Sequence, residues 1–482
     1  MPSEIKNAKN FRILSFIAFL ASLLVGMRTA FPDGMDTQFS GVGFLAPSAE
    51  LIQSLGLSDP GNYMRVAVDL QDLQLSEENE WILNLWPPGM PFYLGILTRF
   101  SFNSNPTLFA LSLFLIFWSL IYVTLLMKLI RMRRYLLSIA FTYVWLFSPL
   151  LTGYNTDYGV LASDGISSVL MAFAILILFK VLLPVYSTHK SSFFWPIFLG
   201  FLLATAAHFR MVWFFSILLG LTFSLIISVL RQLLRRKRCT LKSKREFAHS
   251  MTLYLLTVVS FLLCLIPWTL IAETKLHPGN YNWSNADYVW AQRWMNDQYL
   301  IDNGANFLVE GNANWSCEIA IAKCQDIYDQ ESRAGTYYSG FGPNSFADFR
   351  REALVSAADN PFSWMSLMTA KLLETWYTSP GASIGSAPNP IGGTLTLFTY
   401  LLSLVLLLKF LARTNSPFAY FLVLLQLGTV AILFLAQFES RYLIAAQVLG
   451  IVVSIKLLET FQTEKDTVTM AESNKFRLYP HV

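Results

Sequence analysis

Residues 211–230 read MVWFFSILLGLTFSLIISVL, a run without a single charge, and residues 231–245 continue RQLLRRKRCTLKSKR. The first run is long enough to carry a helix through a hydrocarbon slab of about 30 Å, where only a helix satisfies its own backbone polar groups. The second holds Arg231, Arg235, Arg236, Lys237, Arg238, Lys242, Lys244 and Arg245, the kind of block that stays on the cytoplasmic side of a membrane. Together they set the expected fold class: an all-α polytopic membrane protein.

Outward from this run, the same reading gives about ten transmembrane helices, near 13–30, 106–130, 135–152, 161–184, 192–209, 211–230, 250–272, 394–412, 417–437 and 442–460. The apolar run from Met90 to Phe100 is too short to span and is expected to lie in the interface. Composition agrees. Hydrophobic residues make up 54% of the 482 and charged residues 14%, where a soluble domain carries about 25% charged. A soluble enzyme is excluded on that ground, and a net charge of +4 gives no reason to expect a nucleic-acid partner.

Charge partition fixes the expected orientation. With both termini inside, 23 of the 35 Lys and Arg and 6 of the 31 Asp and Glu fall on the cytoplasmic side. Inside is then +17 and outside −13. The link from Lys128 to Arg134, with four basic residues, falls on the same inner side. The first span comes after Lys6, Lys9 and Arg12; read as a span or as a signal peptide, it sends the loop beyond it to the exported side.

The expected organisation is an N-terminal transmembrane module, 1–272, whose exported first loop, 31–105, carries interfacial helices. A small exported soluble domain, 273–393, comes next, with a helical pattern in Phe349 to Trp376. The C-terminal transmembrane helices, 394–460, and a cytoplasmic tail, 461–482, complete it. Cys317 and Cys324, with six residues between them in a polar stretch, are the candidates for a disulfide, which requires an oxidising compartment. Length and loop style point to a bacterial inner (plasma) membrane.

Sequence motifs of the common soluble chemistries are missing: no P-loop, HExxH, GxSxG or CxxC occurs. The five histidines, His189, His208, His249, His277 and His481, are too scattered to announce a metal site. There remains a set of carboxylates and arginines at the exported ends of spans, where water access stops and low dielectric begins. The first constellation is Ser58-Asp59-Pro60-Gly61-Asn62-Tyr63, continuing through Arg65, Ala67 and Leu70 to Trp86-Pro87-Pro88-Gly89-Met90-Pro91. Pro60 suits the first turn of a helix, which puts Asp59 at its N-terminus, where the dipole favours a carboxylate. From spacing alone, an N-cap is the simpler role for Asp59, and the Trp86-Pro87-Pro88 turn is a stiff lead into the interfacial helix.

An exported first loop with Asp-Pro-x-x-Tyr-x-x-x-Ala-x-x-Leu, then Trp-Pro-Pro-Gly-x-Pro, resembles the GT-C superfamily of membrane glycosyltransferases. The branch it is most similar to holds the protein O-mannosyltransferases and the lipid A aminoarabinose transferase. Ser163-Asp164-Gly165, opening the fourth span, resembles that branch's Ser/Thr-Glu/Asp-Pro. His208-Phe209-Arg210, closing the fifth after Gly200 to Ala204, resembles its arginine at that place. Ile266-Pro267-Trp268 and Glu439-Ser440-Arg441-Tyr442-Leu443 complete the order, so the resemblance covers most of the chain. Departures exist. The family's catalytic acid usually lies just after the first span, whereas Asp59 is about thirty residues beyond it, so Asp33 and Asp36 stay open as alternative bases. Gly165 replaces the proline, and Asp157 competes for the role of Asp164. The Trp-Trp-Asp-Tyr-Gly motif of the oligosaccharyltransferase branch is not present, which argues against en bloc transfer to asparagine.

The resemblance implies a donor sugar on polyprenyl phosphate and a hydroxyl acceptor on a glycolipid, polysaccharide or protein, joined at the exported face of the cell envelope among membrane lipids. It implies Asp59 as general base with inversion, and Arg210, Arg441 and His208 on the departing phosphate, where permanently charged guanidinium groups grip two oxygens at once. Asp164 orients the acceptor, pairs with an arginine or holds a divalent cation such as Mg or Mn; Tyr63, Trp86, Pro87, Pro88 and Asp157 shape the acceptor side. Two other classes stay in view. A polysaccharide polymerase or ligase would use a diphosphate-linked glycan. A secondary transporter or flippase would place ionisable groups mid-span in repeated halves, and no halves repeat here.

Overall fold

The computed structural model describes residues 2–30, 59–69, 76, 79, 83, 87–100, 106–147, 163–182, 193–235, 241–276, 355, 358, 359, 361, 362, 365, 390–414, 416–435 and 444–477. Among these the regular elements are helices. In chain order they are α1 (Pro2–Ala30), α2 (Asp59–Asp69), α3 (Gly89–Phe100), α4 (Pro106–Arg131) and α5 (Tyr135–Thr142), which runs on as a π-turn through Phe147. Next come α6 (Ser163–Leu182), α7 (Phe194–Phe209), α8 (Met211–Arg235) and α9 (Leu241–Ile271), which ends in a π-turn through Leu276. Last are α10 (Pro390–Arg413), α11 (Pro417–Leu435) and α12 (Ile444–Arg477).

A helix lies at each of the ten segments read as spans. Six, α1, α4, α8, α9, α10 and α12, contain windows long and apolar enough to cross a membrane; α5, α6, α7 and α11 supply shorter apolar helices. The chain is therefore an α-helical, multi-pass membrane protein. Two stretches expected as loop or tail are helical instead: α9 begins at Leu241, inside the basic block, and α12 runs to Arg477 through most of the expected tail. Lys, Arg, Glu and Gln are good helix formers, and a solvated helix keeps its own hydrogen bonds, so nothing stops these helices at the bilayer edge. Of the expected exported domain, Val355, Ala358, Asp359, Pro361, Phe362 and Met365 are described and helical, as the pattern there predicts.

The bundle has an apolar core, with Trp118, Trp145 and Phe421 fully buried, and an apolar outside as well. Leu136 and Leu234 are 84% and 87% exposed, and Leu24, Leu230, Leu263 and Leu408 also face outward. Contiguous apolar surface of this kind suits lipid. Between helices, where lipid removes any hydrophobic advantage, close packing and interhelical hydrogen bonds hold the bundle together. The Trp118 and Trp145 rings stack at 4.0 Å between α4 and the π-turn after α5. Ser119 donates to Ser22 (2.8 Å) across α4 and α1, Tyr400 to the Gln426 carbonyl (3.0 Å), and Ser454 to the Thr399 carbonyl (2.9 Å).

A close backbone approach joins α7 and α9. A Cβ on Gly200 would stand 2.5 Å from the Thr257 carbonyl oxygen and 2.6 Å from Ser260 Cβ, while the Ser260 hydroxyl donates to the Ile197 carbonyl at 2.8 Å. Gly200→Leu is expected to force the helices apart and cost about 1–3 kcal/mol. Thermal unfolding in detergent checks this; an unchanged melting temperature would mean the two backbones do not approach so closely.

The packing sorts helix ends into two faces. At one, Arg131 lies 4.3 Å from the Phe11 ring, Lys180 lies 4.4 Å from that of Trp195, Arg231 meets Tyr420, and Lys409 and Arg413 flank Phe461. At the other lie the starts of α2, α3 and α6 and the ends of α7 and α9. That second face carries the candidate site.

Candidate functional site

Pro60 sits in the first turn of α2, and the helix begins at Asp59, as its proline predicts. One turn further on, Tyr63 is 1% exposed, and its hydroxyl is 3.3 Å from that of Ser163, one hundred residues away. Ser163 opens α6, and Asp164 sits in its first turn. A hydroxyl pair thus links the second turn of α2 to the first residue of α6, and each of these helices carries an aspartate in its first turn. Each N-terminus carries the partial positive charge of its own helix dipole, which favours anions.

The Pro87-Pro88-Gly89 turn closes the site from a third direction. Pro87 and Pro88 are buried, and the Phe92 amide donates to the Pro88 carbonyl at 3.0 Å, starting α3. Gly89 rests directly on the end of α7: a Cβ there would fall 2.5 Å from the His208 carbonyl oxygen and 2.7 Å from the Phe209 nitrogen. Tyr93 meets Phe209 edge-on at 5.7 Å, and Phe92 meets Trp268, of the Ile266-Pro267-Trp268 stretch in α9, at 5.9 Å. Burial pushes the Tyr93 phenol up to about 12.

Arg210 occupies the break between α7 and α8. Its backbone is extended (φ −150°, ψ 123°), its amide donates to the Ala206 carbonyl at 3.1 Å, and its carbonyl accepts from Trp213 at 3.0 Å. The residue is 8% exposed. An arginine that only snorkels to the interface keeps its head in water; this guanidinium is enclosed, and a buried cation demands anionic or carbonyl partners. His208 is partly buried in the last turn of α7, over the Gly89 contact.

The structure therefore gathers the starts of α2 and α6, the Pro87-Pro88-Gly89 turn, the His208–Arg210 segment and Trp268. For Asp59 and Asp164 the backbone position alone is described. Asp33, Asp36, Trp86, Asp157, Cys317, Cys324 and Arg441 lie outside the described residues. Among the described residues no group of three or more His, Cys, Asp or Glu side chains is placed to hold a metal ion.

Two features escape a reading of the sequence. Asp69, at the end of α2, accepts from the Ser76 amide (2.9 Å), the Ser76 hydroxyl (2.7 Å) and the Asn79 amide (2.9 Å), tying down the chain beyond the helix. Ordinary loop composition gives no signal for it. Gly89 is legible as a turn residue, but its seat on the His208 carbonyl is not. Gly89→Ala is expected to lift the turn off α7, lowering stability by about 1–3 kcal/mol. The melting temperature in detergent is the check, and an unshifted value would refute the contact.

No protein-family model matches the chain, and a comparison with curated proteins finds no match either.

Proposed function

We propose that this protein is a membrane glycosyltransferase that moves one sugar from polyprenyl phosphate to a hydroxyl acceptor. The observation that carries this reading is the meeting, at one end of the bundle, of segments far apart in sequence: the Tyr63–Ser163 pair brings the Asp59 and Asp164 helices together, and Gly89 joins them to the His208–Arg210 segment. These are the segments that resemble the GT-C superfamily. In this reading Asp59 takes the acceptor proton as the hydroxyl oxygen attacks the anomeric carbon; the bond from that carbon to the phosphate oxygen breaks with inversion. Arg210 and Arg441, assisted by His208, neutralise the departing phosphate, which the two helix N-termini also favour. Asp164 orients the acceptor or, with a divalent cation, supplies further positive charge.

The reading carries ten spans, both termini in the cytoplasm and the site at the periplasmic or exterior face of a bacterial inner membrane. It is supported by the cations gathered at the opposite face, which the positive-inside rule assigns to the cytoplasm. The test is direct. Purified protein is incubated with a panel of polyprenyl-phosphate sugars and acceptor glycolipids, polysaccharides and peptides, and released polyprenyl phosphate is measured. Consumption of a diphosphate-linked glycan with every monophosphate donor left intact would replace this reading with a polymerase or ligase.

A further inference from the structure

The face opposite the candidate site holds a second built feature, where α4 turns into α5. The Arg134 amide donates to the Leu129 carbonyl and the Arg133 amide to that of Ile130, each at 2.9 Å. This is the paired closure of a Schellman cap, whose C′ residue must adopt a left-handed conformation and is usually glycine. Here it is Arg133, at φ 56°, the one non-glycine residue with positive φ among those described. A side chain in that conformation costs roughly 1–2 kcal/mol, and such strained positions cluster at ligand clamps and other functional places.

Arg133 lines a groove of about 440 Å³ with Lys128, Arg131, Glu459, Gln462 and Thr463. Lys128 bridges Glu459, and Lys456 Nζ reaches its second oxygen at 2.5 Å, so one carboxylate is shared by two ammonium groups. The lining keeps a positive excess, with three cations against one carboxylate. One of these cations, Arg131, is held in place from behind, over the Phe11 ring at 4.3 Å; behind the groove, Lys456 lies over the Phe179 ring at 5.6 Å and holds Glu459. Glu459 lies fifteen residues into α12, so at 1.5 Å per residue the groove is roughly 22 Å from that helix's start. It is distinct from the candidate glycosyl site.

We infer that this groove binds a phosphate-bearing anion, presented by the head group of an anionic membrane lipid. Guanidinium and ammonium groups around one opening match phosphate oxygens, the volume suits a head group, and basic recesses between spanning helices hold anionic lipids in this way. The inference does not depend on the catalytic reading.

The test uses full-length protein in neutral detergent and titrates phosphatidylglycerol, phosphatidylcholine and inorganic phosphate, with bound lipid counted by native mass spectrometry. Wild type should retain phosphatidylglycerol over phosphatidylcholine. Arg131→Gln with Arg133→Gly should weaken that retention at least tenfold. Arg133→Gly alone should keep or raise the lipid-free melting temperature, because glycine relieves the φ. Arg245→Gln, an exposed cation on the same face, should bind as wild type does. If millimolar inorganic phosphate displaces the lipid and binds equally well, the groove stands and its occupant is the free anion. Equal retention in wild type and the double variant, or an equal loss in Arg245→Gln, would overturn the inference.

Discussion

Sugar transfer is expected to fall roughly 100- to 10,000-fold in Asp59→Asn, with the melting temperature unchanged. An acceptor hydroxyl has a pKa far above neutrality, so attack without a base must expel a proton into solvent that a membrane-edge site largely excludes. Asparagine keeps the side-chain shape at the start of α2 and removes the proton-accepting carboxylate. That separates the two roles of Asp59: a pure N-cap would lose little activity, since asparagine caps as well as aspartate. Undiminished turnover would pass the base role to Asp33 or Asp36, and single Asn variants at those positions would identify it. The matching loss in Asp164→Asn should be rescued in part by a longer carboxylate, Asp164→Glu, if that group holds the acceptor.

Arg210→Ala is expected to cost roughly 100- to 1,000-fold in kcat/KM for the polyprenyl-phosphate donor, the range seen when one preorganised charge-stabilising donor is lost. The geometric ground is burial: Arg210, 8% exposed at the junction of α7 and α8 and next to the His208–Phe209 backbone on which Gly89 sits, is in the proposed reading the group that meets the departing phosphate. Arg210→Lys keeps the charge but not the planar fork, and should recover only part of the activity. Donor titration separates the outcomes. If both variants lose stability in proportion to activity, Arg210 is a structural cation of the helix junction and not a phosphate ligand. Arg441→Ala, tested alongside, should weaken donor affinity with less effect on folding.

The helices are the legible part. Each apolar run between residues 13 and 460 that reads as a span coincides with a described helix, because lipid leaves the backbone no other way to satisfy its hydrogen bonds. Helix limits are less legible: α9 and α12 extend into charged sequence, where periodicity and hydropathy give no stop signal and no proline or glycine intervenes. The site is legible as separate motifs. Pro60 announces the start of α2, and Arg210 announces a helix end, but burial of Arg210 cannot be read from a string in which terminal arginines commonly snorkel.

Sequence alone determined that this chain is α-helical and membrane-embedded, and which of its loops are basic, because hydropathy and charge act residue by residue against a fixed slab of lipid. Only the tertiary structure decided that Tyr63 meets Ser163, that Gly89 sits on His208, and that Arg133 takes a glycine's conformation beside Glu459. Those contacts join positions separated by up to several hundred residues. They depend on how apolar helices of similar composition choose their neighbours, a choice made by shape and by a few small or polar side chains rather than by hydrophobicity.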